Sequence, residues 1–269
     1  VAVHGITASA MEWPPVARCL PADWTFVAPD LRGRGAAAGL PGPFGLHRHA
    51  ADVCALVRAR HPAEAVLVGH SMGAYVALLA AAAEPDLFTR LVLVDGGLPL
   101  PSPPEGVSVD DVLDATLGPA IARLSRTFES EDAYFDFFRA HPAFADAWNE
   151  DIAAYARYDL TGPPGALRSR VVEEAVRADG RDVLACAAEF TAAWEALTVP
   201  TVLLRAPLGL FGKAPGLLGE EVVADAGRRR PDIGIETVED ANHYTIVLDE
   251  RFAARIARRV ADAAPEQSA

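Results

Sequence analysis

The stretch VLVGHSMGAYVALLAAAA, residues 66–83, sets an apolar, β-branched burst, a serine between two glycines and an alanine-rich helical run one directly after another. Gly69-His70-Ser71-Met72-Gly73 matches the pattern G-x-S-x-G, with a strand expected before it and a helix after it. A turn that reverses from strand to helix in so few residues leaves no room for side chains two places either side of its centre. Glycine at 69 and 73 removes that clash and lets Ser71 adopt a strained conformation with its hydroxyl exposed. The following helix would aim its free N–H groups at the same spot, favouring a developing negative charge there. A phosphate-binding loop of the Walker type would need a lysine, which is absent. Ser71 is therefore the candidate nucleophile.

Working outward, β-branched bursts recur at 1–3, 25–28, 65–68, 91–94, 201–204 and 233–238. The first four alternate with helical spacing, as in Leu46 to Arg60 and Ala74 to Ala83. Such alternation predicts an α/β fold: a mostly parallel, doubly wound sheet with helices on both faces. The rhythm breaks after Val94. From about Leu98 to Leu197 the pattern is helical only, punctuated by PLPSPPEG, HPAF and TGPPGA, with aromatics gathered between Tyr134 and Tyr158. We expect core segments at 1–97 and 198–269 and an inserted helical cap at 98–197. The Pro-rich run 99–104 reads as a linker, and the chain closes on the helix DERFAARIARRVADAA, N-capped by Asp249.

The balance of 24 basic and 37 acidic residues gives a net charge of -13, which repels phosphate backbones and anionic membrane surfaces. A small-molecule substrate is the expected partner, with no nucleic acid and no membrane; the sequence is silent on oligomeric state. No uninterrupted apolar run reaches the length of a membrane span. Cys19, Cys54 and Cys186 lie far apart, so neither a thiol-bound metal nor a disulfide framework is expected, and a reducing, cytoplasmic setting fits. No cofactor is expected. Because Val1 already lies inside a strand-like segment and is not Met, residues upstream of it, including a signal peptide, are expected to be missing.

VHG at 3–5, APDLRGRG at 28–35, GHSMGA at 69–74 and NHY at 242–244 occur together, and in this order and spacing the chain resembles the α/β-hydrolase fold superfamily, of the capped kind that includes many bacterial esterases and lactonases. The resemblance implies an oxyanion hole made by the backbone N–H groups of Ile6, after the HG pair, and of Met72, after the nucleophile. His4 and the charged residues of APDLRGRG are read as braces for neighbouring loops. Of seven histidines, His70 abuts Ser71 and cannot turn onto it, His47, His49 and His61 lie on or beside one helix, and His141 precedes Pro142 in the insertion. His243, in a loop after the last strand, is the candidate base. The acid departs from the pattern. The usual position, soon after TVLLR, holds no Asp or Glu between Arg205 and Gly219. Some members place it one strand earlier, which gives Asp95; Glu220 or Glu221 folding back, or no acid at all, remain open. The implied activity is a serine hydrolase acting on a carboxylic ester or lactone of a small to medium, largely apolar substrate. Carbon–carbon bond hydrolysis and perhydrolysis use the same triad, and a non-catalytic ligand-binding homologue is the alternative of another class. Relatives with an aspartate nucleophile are set aside by Ser71.

Overall fold

Side chains that alternate along each strand decide how this chain layers, and the computed structural model describes residues 1–101 and 103–262. In chain order the first elements are β1 (Ala2–Val3), α1 (Pro14–Arg18), α2 (Leu46–Arg60), β2 (Val66–His70), α3 (Met72–Ala83) and β3 (Arg90–Val94). Then come α4 (Val109–Leu124), α5 (Glu131–Arg139), α6 (Glu150–Asp159), the strands β4 (Leu160–Thr161) and β5 (Arg168–Ser169), α7 (Glu173–Ala185) and α8 (Ala187–Ala196). The chain ends on β6 (Thr201–Arg205), α9 (Glu220–Arg229), β7 (Gly234–Thr237), α10 (Thr245–Leu248) and α11 (Glu250–Ala261).

Five strands form one sheet in the order β1-β2-β3-β6-β7, every neighbouring pair parallel. Because successive side chains point to opposite faces, Val3, Leu67, Leu91, Leu93 and Leu203 pack on one side, with α2, α3 and α8. Ala2, Val68, Val92, Val94, Val202 and Leu204 pack on the other, with α1, α11 and aromatics of α5 and α6. Two cores on two faces of a parallel sheet make the doubly wound layering that the alternation of strand and helix predicts. α3 lies so deep that every residue from Met72 to Ala81 is buried, and its alanines let it approach the sheet and α2 closely. α8 closes over it: the rings of Tyr75 and Phe190 lie 4.7 Å apart, and Trp194 Nε1 donates to the Ala226 carbonyl at 3.3 Å.

The structure departs from the sequence reading in three places. Residues 25–28 form no strand; with β1 only two residues long, they have little to pair with, and the contact is the Ala2 N–H donating to Val27 O at 2.9 Å. The stretch after Val94 is not purely helical, because β4 and β5 make a short antiparallel pair. This pair continues in reciprocal hydrogen bonds between Phe128 and Leu167, at 2.7 and 2.9 Å. The last strand covers Gly234–Thr237, shorter than 233–238. Asp249 caps α11 by accepting from the Arg251 N–H. Residues 263 and 264 of the closing helical pattern, and Ser102 of the Pro-rich run, lie outside the described residues. Cys19, Cys54 and Cys186 are free thiols, and among the described residues no helix is long and apolar enough to cross a membrane.

Gly227 sits inside α9, and a Cβ added there would meet Ile235 Cδ1 at 3.9 Å, an ordinary contact. Gly227→Ala should therefore stabilise the fold by about 0.5–1 kcal/mol, since alanine loses less conformational entropy in a helix. Urea unfolding of the two proteins side by side checks the sign.

Candidate active site

The turn between β2 and α3 is as tight as its two glycines imply. Ser71 sits at φ 54°, ψ −122°, a sparsely populated region for a residue with a side chain, held there by its N–H donating to Val94 O at 2.9 Å. A Cβ at Gly69 would lie 2.1 Å from the Gly73 carbonyl oxygen, and one at Gly73 would lie 2.0 Å from that of Val3. Nothing but hydrogen fits at either place.

The parallel order of β2, β3, β6 and β7 gathers three of the expected residues at the carboxyl end of the sheet. Ser71 Oγ lies 2.9 Å from His243 Nε2, and His243 Nδ1 lies 2.6 Å from Asp95 Oδ2. An ionised carboxylate only accepts, so Nδ1 carries the ring proton and Nε2 is left with a lone pair facing the serine hydroxyl. Asp95 is wholly buried, and its other oxygen accepts from the Ala206 N–H at 3.0 Å. Burial lowers the pKa of His243, and the nearby Asp95 charge recovers only part of the drop, so the ring is neutral at pH 7. Glu220 stands elsewhere: its carboxylate is 82% exposed and pairs with Arg205 at 2.7 Å, and Glu221 is exposed on the same helix.

Ile6 and Met72 line the same chamber as Ser71. Met72 is the first residue of α3, so its N–H is among those a helix leaves without an internal acceptor. The Ile6 carbonyl accepts from both Nε and Nη2 of Arg34, at 2.9 and 2.8 Å, which fixes the loop that carries its N–H. Arg34 has no exposed surface; its Nη1 donates to Asp179 Oδ2 of α7 at 2.5 Å. The same oxygen accepts from His49 Nε2 at 3.0 Å, and Oδ1 accepts from the Gly45 N–H at 2.7 Å. Burial alone would raise Asp179, yet His49 and Arg34 together hold it below the usual carboxylate range. Arg34, the second arginine of APDLRGRG, is thus a brace rather than an open anion site.

A second buried pair supports the histidine from behind. His70 Nε2 donates to the carbonyl of His243 at 2.8 Å, and His70 Nδ1 faces Glu12 Oε2 at 3.4 Å. Glu12 Oε1 accepts the Gly5 N–H at 3.1 Å. Burial would lower His70, but Glu12, helped by Asp95 and the His243 carbonyl, outweighs it and raises the pKa. Neither Glu12 nor a role for His70 emerged from the sequence: the pair is 58 residues apart, and the motif left the residue before the serine open. His4 takes the Leu31 N–H on Nε2 at 3.0 Å and donates from Nδ1 to Gly5 O at 2.8 Å, a loop brace as read. His47 pairs with Glu189 at the surface.

These groups form the floor of a chamber of about 920 Å³, its open mouth included. Its walls are apolar, with Leu113 and Leu117 of α4, Val183 and Leu184 of α7, and Leu210, Leu217 and Val247. Among the described residues that line it, Glu12 is the one carboxylate, and there is no lysine or arginine.

A sequence model of the alpha/beta hydrolase family matches residues 1–259, and the chain belongs to that family. It is 27% identical over 242 residues to a 2-(acetamidomethylene)succinate hydrolase of Mesorhizobium japonicum, covering 90% of this chain and 80% of that protein. Shorter matches are 35% identity to Lipase LipV of Mycobacterium tuberculosis (43% of this chain, 42% of that one) and 40% to an N-formylmaleamate deformylase of Pseudomonas putida (35% and 36%). The crystal structure of an E-2-(acetamidomethylene)succinate hydrolase superposes with a TM-score of 0.80 at 23% identity, covering 97% of this chain and 90% of that one, a likeness of fold. The protein is thus an alpha/beta hydrolase whose relatives bear the names of diverse hydrolases.

Burial pushes His4 down from 6.5 to about 4, more than the nearby Glu12 charge restores. The unfolded chain takes this proton near pH 6.5 and the folded one only near 4. The resulting stability is full above pH 6.5 and is lost as pH falls toward 4, a change on the order of 3 kcal/mol. Urea midpoints measured across that interval should fall, and His4→Asn should flatten part of the slope.

Proposed function

We propose that the protein is a serine hydrolase that cleaves a carboxylic ester or lactone of a small to medium, largely apolar substrate through an acyl-enzyme. The observation that carries this reading is the unbroken contact from Asp95 Oδ2 through His243 to Ser71 Oγ on the floor of an apolar chamber. In this mechanism Ser71 Oγ attacks the carbonyl carbon while His243 Nε2 takes its proton. The oxyanion is held by the N–H groups of Ile6 and Met72, fixed donors that need no reorganisation as charge develops. Collapse breaks the C–O bond, and the proton on Nε2 passes to the leaving alcohol. Water then attacks the acyl carbon, His243 takes its proton, and the acid departs as Ser71 recovers its hydrogen. Asp95 holds the tautomer throughout and stabilises the imidazolium.

The succinate and maleamate in the names of two relatives are carboxylates. Here a wall that, among the described residues, holds no lysine or arginine and includes Glu12 favours uncharged substrates. Those names also favour a second reading, in which an amide is the bond cleaved by the same residues, so acyl amides belong in the substrate panel.

Three measurements test the reading. A serine-directed phosphonate should add one adduct at Ser71, and an unlabelled protein would sink it. Asp95→Asn should lower kcat for a p-nitrophenyl ester by about 10⁴-fold, because the imidazole loses the partner that fixes its proton on Nδ1. The acidic limb of kcat/KM for a neutral ester should lie below pH 6.5, with activity gained as pH rises through it, since only the neutral His243 accepts the serine proton.

A further inference from the structure

A second lobe adjoins the chamber above Ser71. Thr7, Thr116, Leu117, Tyr155, Leu210 and Tyr244 line both the chamber and this lobe, whose volume is about 570 Å³ with its opening included. The shared lining starts beside the reacting atoms. Thr7 follows Ile6, and Tyr244 follows His243, the two rings lying 5.4 Å apart, nearly perpendicular. A substrate limb leaving a carbonyl at Ser71 over Thr7 is therefore directed toward the lobe.

The walls beyond are rings. Phe137, Phe138, Phe144 and Phe211 join Tyr155 and Tyr244 around the space. Phe138 stands edge-on to Tyr155 at 6.1 Å, and Phe144 tilts against Tyr244 at 4.9 Å. Phe211 is 44% exposed at the rim and stacks on His141 at 5.7 Å. Arg123, the cation at this lobe, is already neutralised: its Nη1 donates to the Asp159 carboxylate and the Tyr134 hydroxyl, its Nη2 to Thr7 O at 3.3 Å, and it lies 5.2 Å from the Phe138 ring. A guanidinium already paired with a carboxylate attracts an anionic group only weakly, whereas a wall of aromatic rings complements the quadrupole of another ring.

We propose that this second lobe is a subsite for a neutral aryl group, so that the substrate is an ester carrying an aromatic ring on a short tether from its carbonyl. The proposal rests on the hydrolase reading only for which end of the substrate meets Ser71.

Binding to Ser71→Ala protein, which cannot be acylated, separates the lobe from the chemistry. Calorimetric titration with 4-phenylbutyl acetate and 4-cyclohexylbutyl acetate compares a ring with a saturated group of similar apolar area; methyl 5-phenylpentanoate and its cyclohexyl counterpart do the same for the acyl limb. In at least one pair the aryl compound should bind about fivefold more tightly, the size one favourable ring–ring contact supplies. Ala120→Phe, which fills the lobe from α4, should bring that ratio to about one, and Phe211→Ala, at the exposed rim where folding is not at risk, should lower the aryl affinity about threefold. Equal affinity within both pairs, or an aryl preference untouched by both substitutions, overturns the proposal. Failure of the hydrolase reading would appear instead as wild-type protein that takes no phosphonate adduct, whatever the binding ratios.

Discussion

Asp95 and His243 meet 2.6 Å apart, 148 residues apart in sequence and almost completely out of water, and much of the molecule is arranged so that they can. The carboxylate is tolerated because every acceptor position that matters is used: the ring N–H on one oxygen, the Ala206 N–H on the other. Those donors come from the segments following β7 and β6, so the contact exists only if β3 and β6 are neighbours in parallel register. The histidine is held at both ends, its ring by Asp95 and its carbonyl by His70, which in turn faces Glu12. Removing any one donor or acceptor would leave a buried polar group unpaired, the costliest form of loss in a protein interior.

A second buried centre governs the loop opposite. Arg34 grips the Ile6 carbonyl with two nitrogens, and its own charge is balanced by Asp179, which comes from α7 and also takes hydrogen bonds from His49 and from the start of α2. One carboxylate thus joins a helix over the chamber, a helix under the sheet and the loop that follows β1. Displacing α7 would loosen the loop beside Ser71 without touching the serine.

Much of this could be read from the chain before any coordinates. Ser71 was legible because strand, glycine-flanked turn and helix follow one another within eighteen residues, and His243 because it follows the last strand pattern by a short loop. The carboxylate partner of His243 stayed open between Asp95, Glu220 or Glu221, and none at all, because proximity to His243 depends on which strand ends lie side by side, a property of the assembled sheet. The supports of Glu12, His70, Asp179 and His49 left no mark, since each is an ordinary polar residue in its own neighbourhood and acquires its role from a partner in another element. The aromatics between Tyr134 and Tyr158 were visible as a cluster, but not as walls of a space that Tyr244 and Phe211 complete from the other side of the chain.

The complete burial of α3 has an electrostatic consequence. A helix on a protein surface has its end charges shielded by water and by mobile ions within about 10 Å. Here ten consecutive residues from Met72 onward are enclosed by the sheet and its covering helices, so the peptide dipoles that converge on Ser71 act through a medium of low dielectric constant. The positive potential at the serine is in this sense built from the backbone. It belongs to the fold and remains when every ionisable side chain around it has titrated.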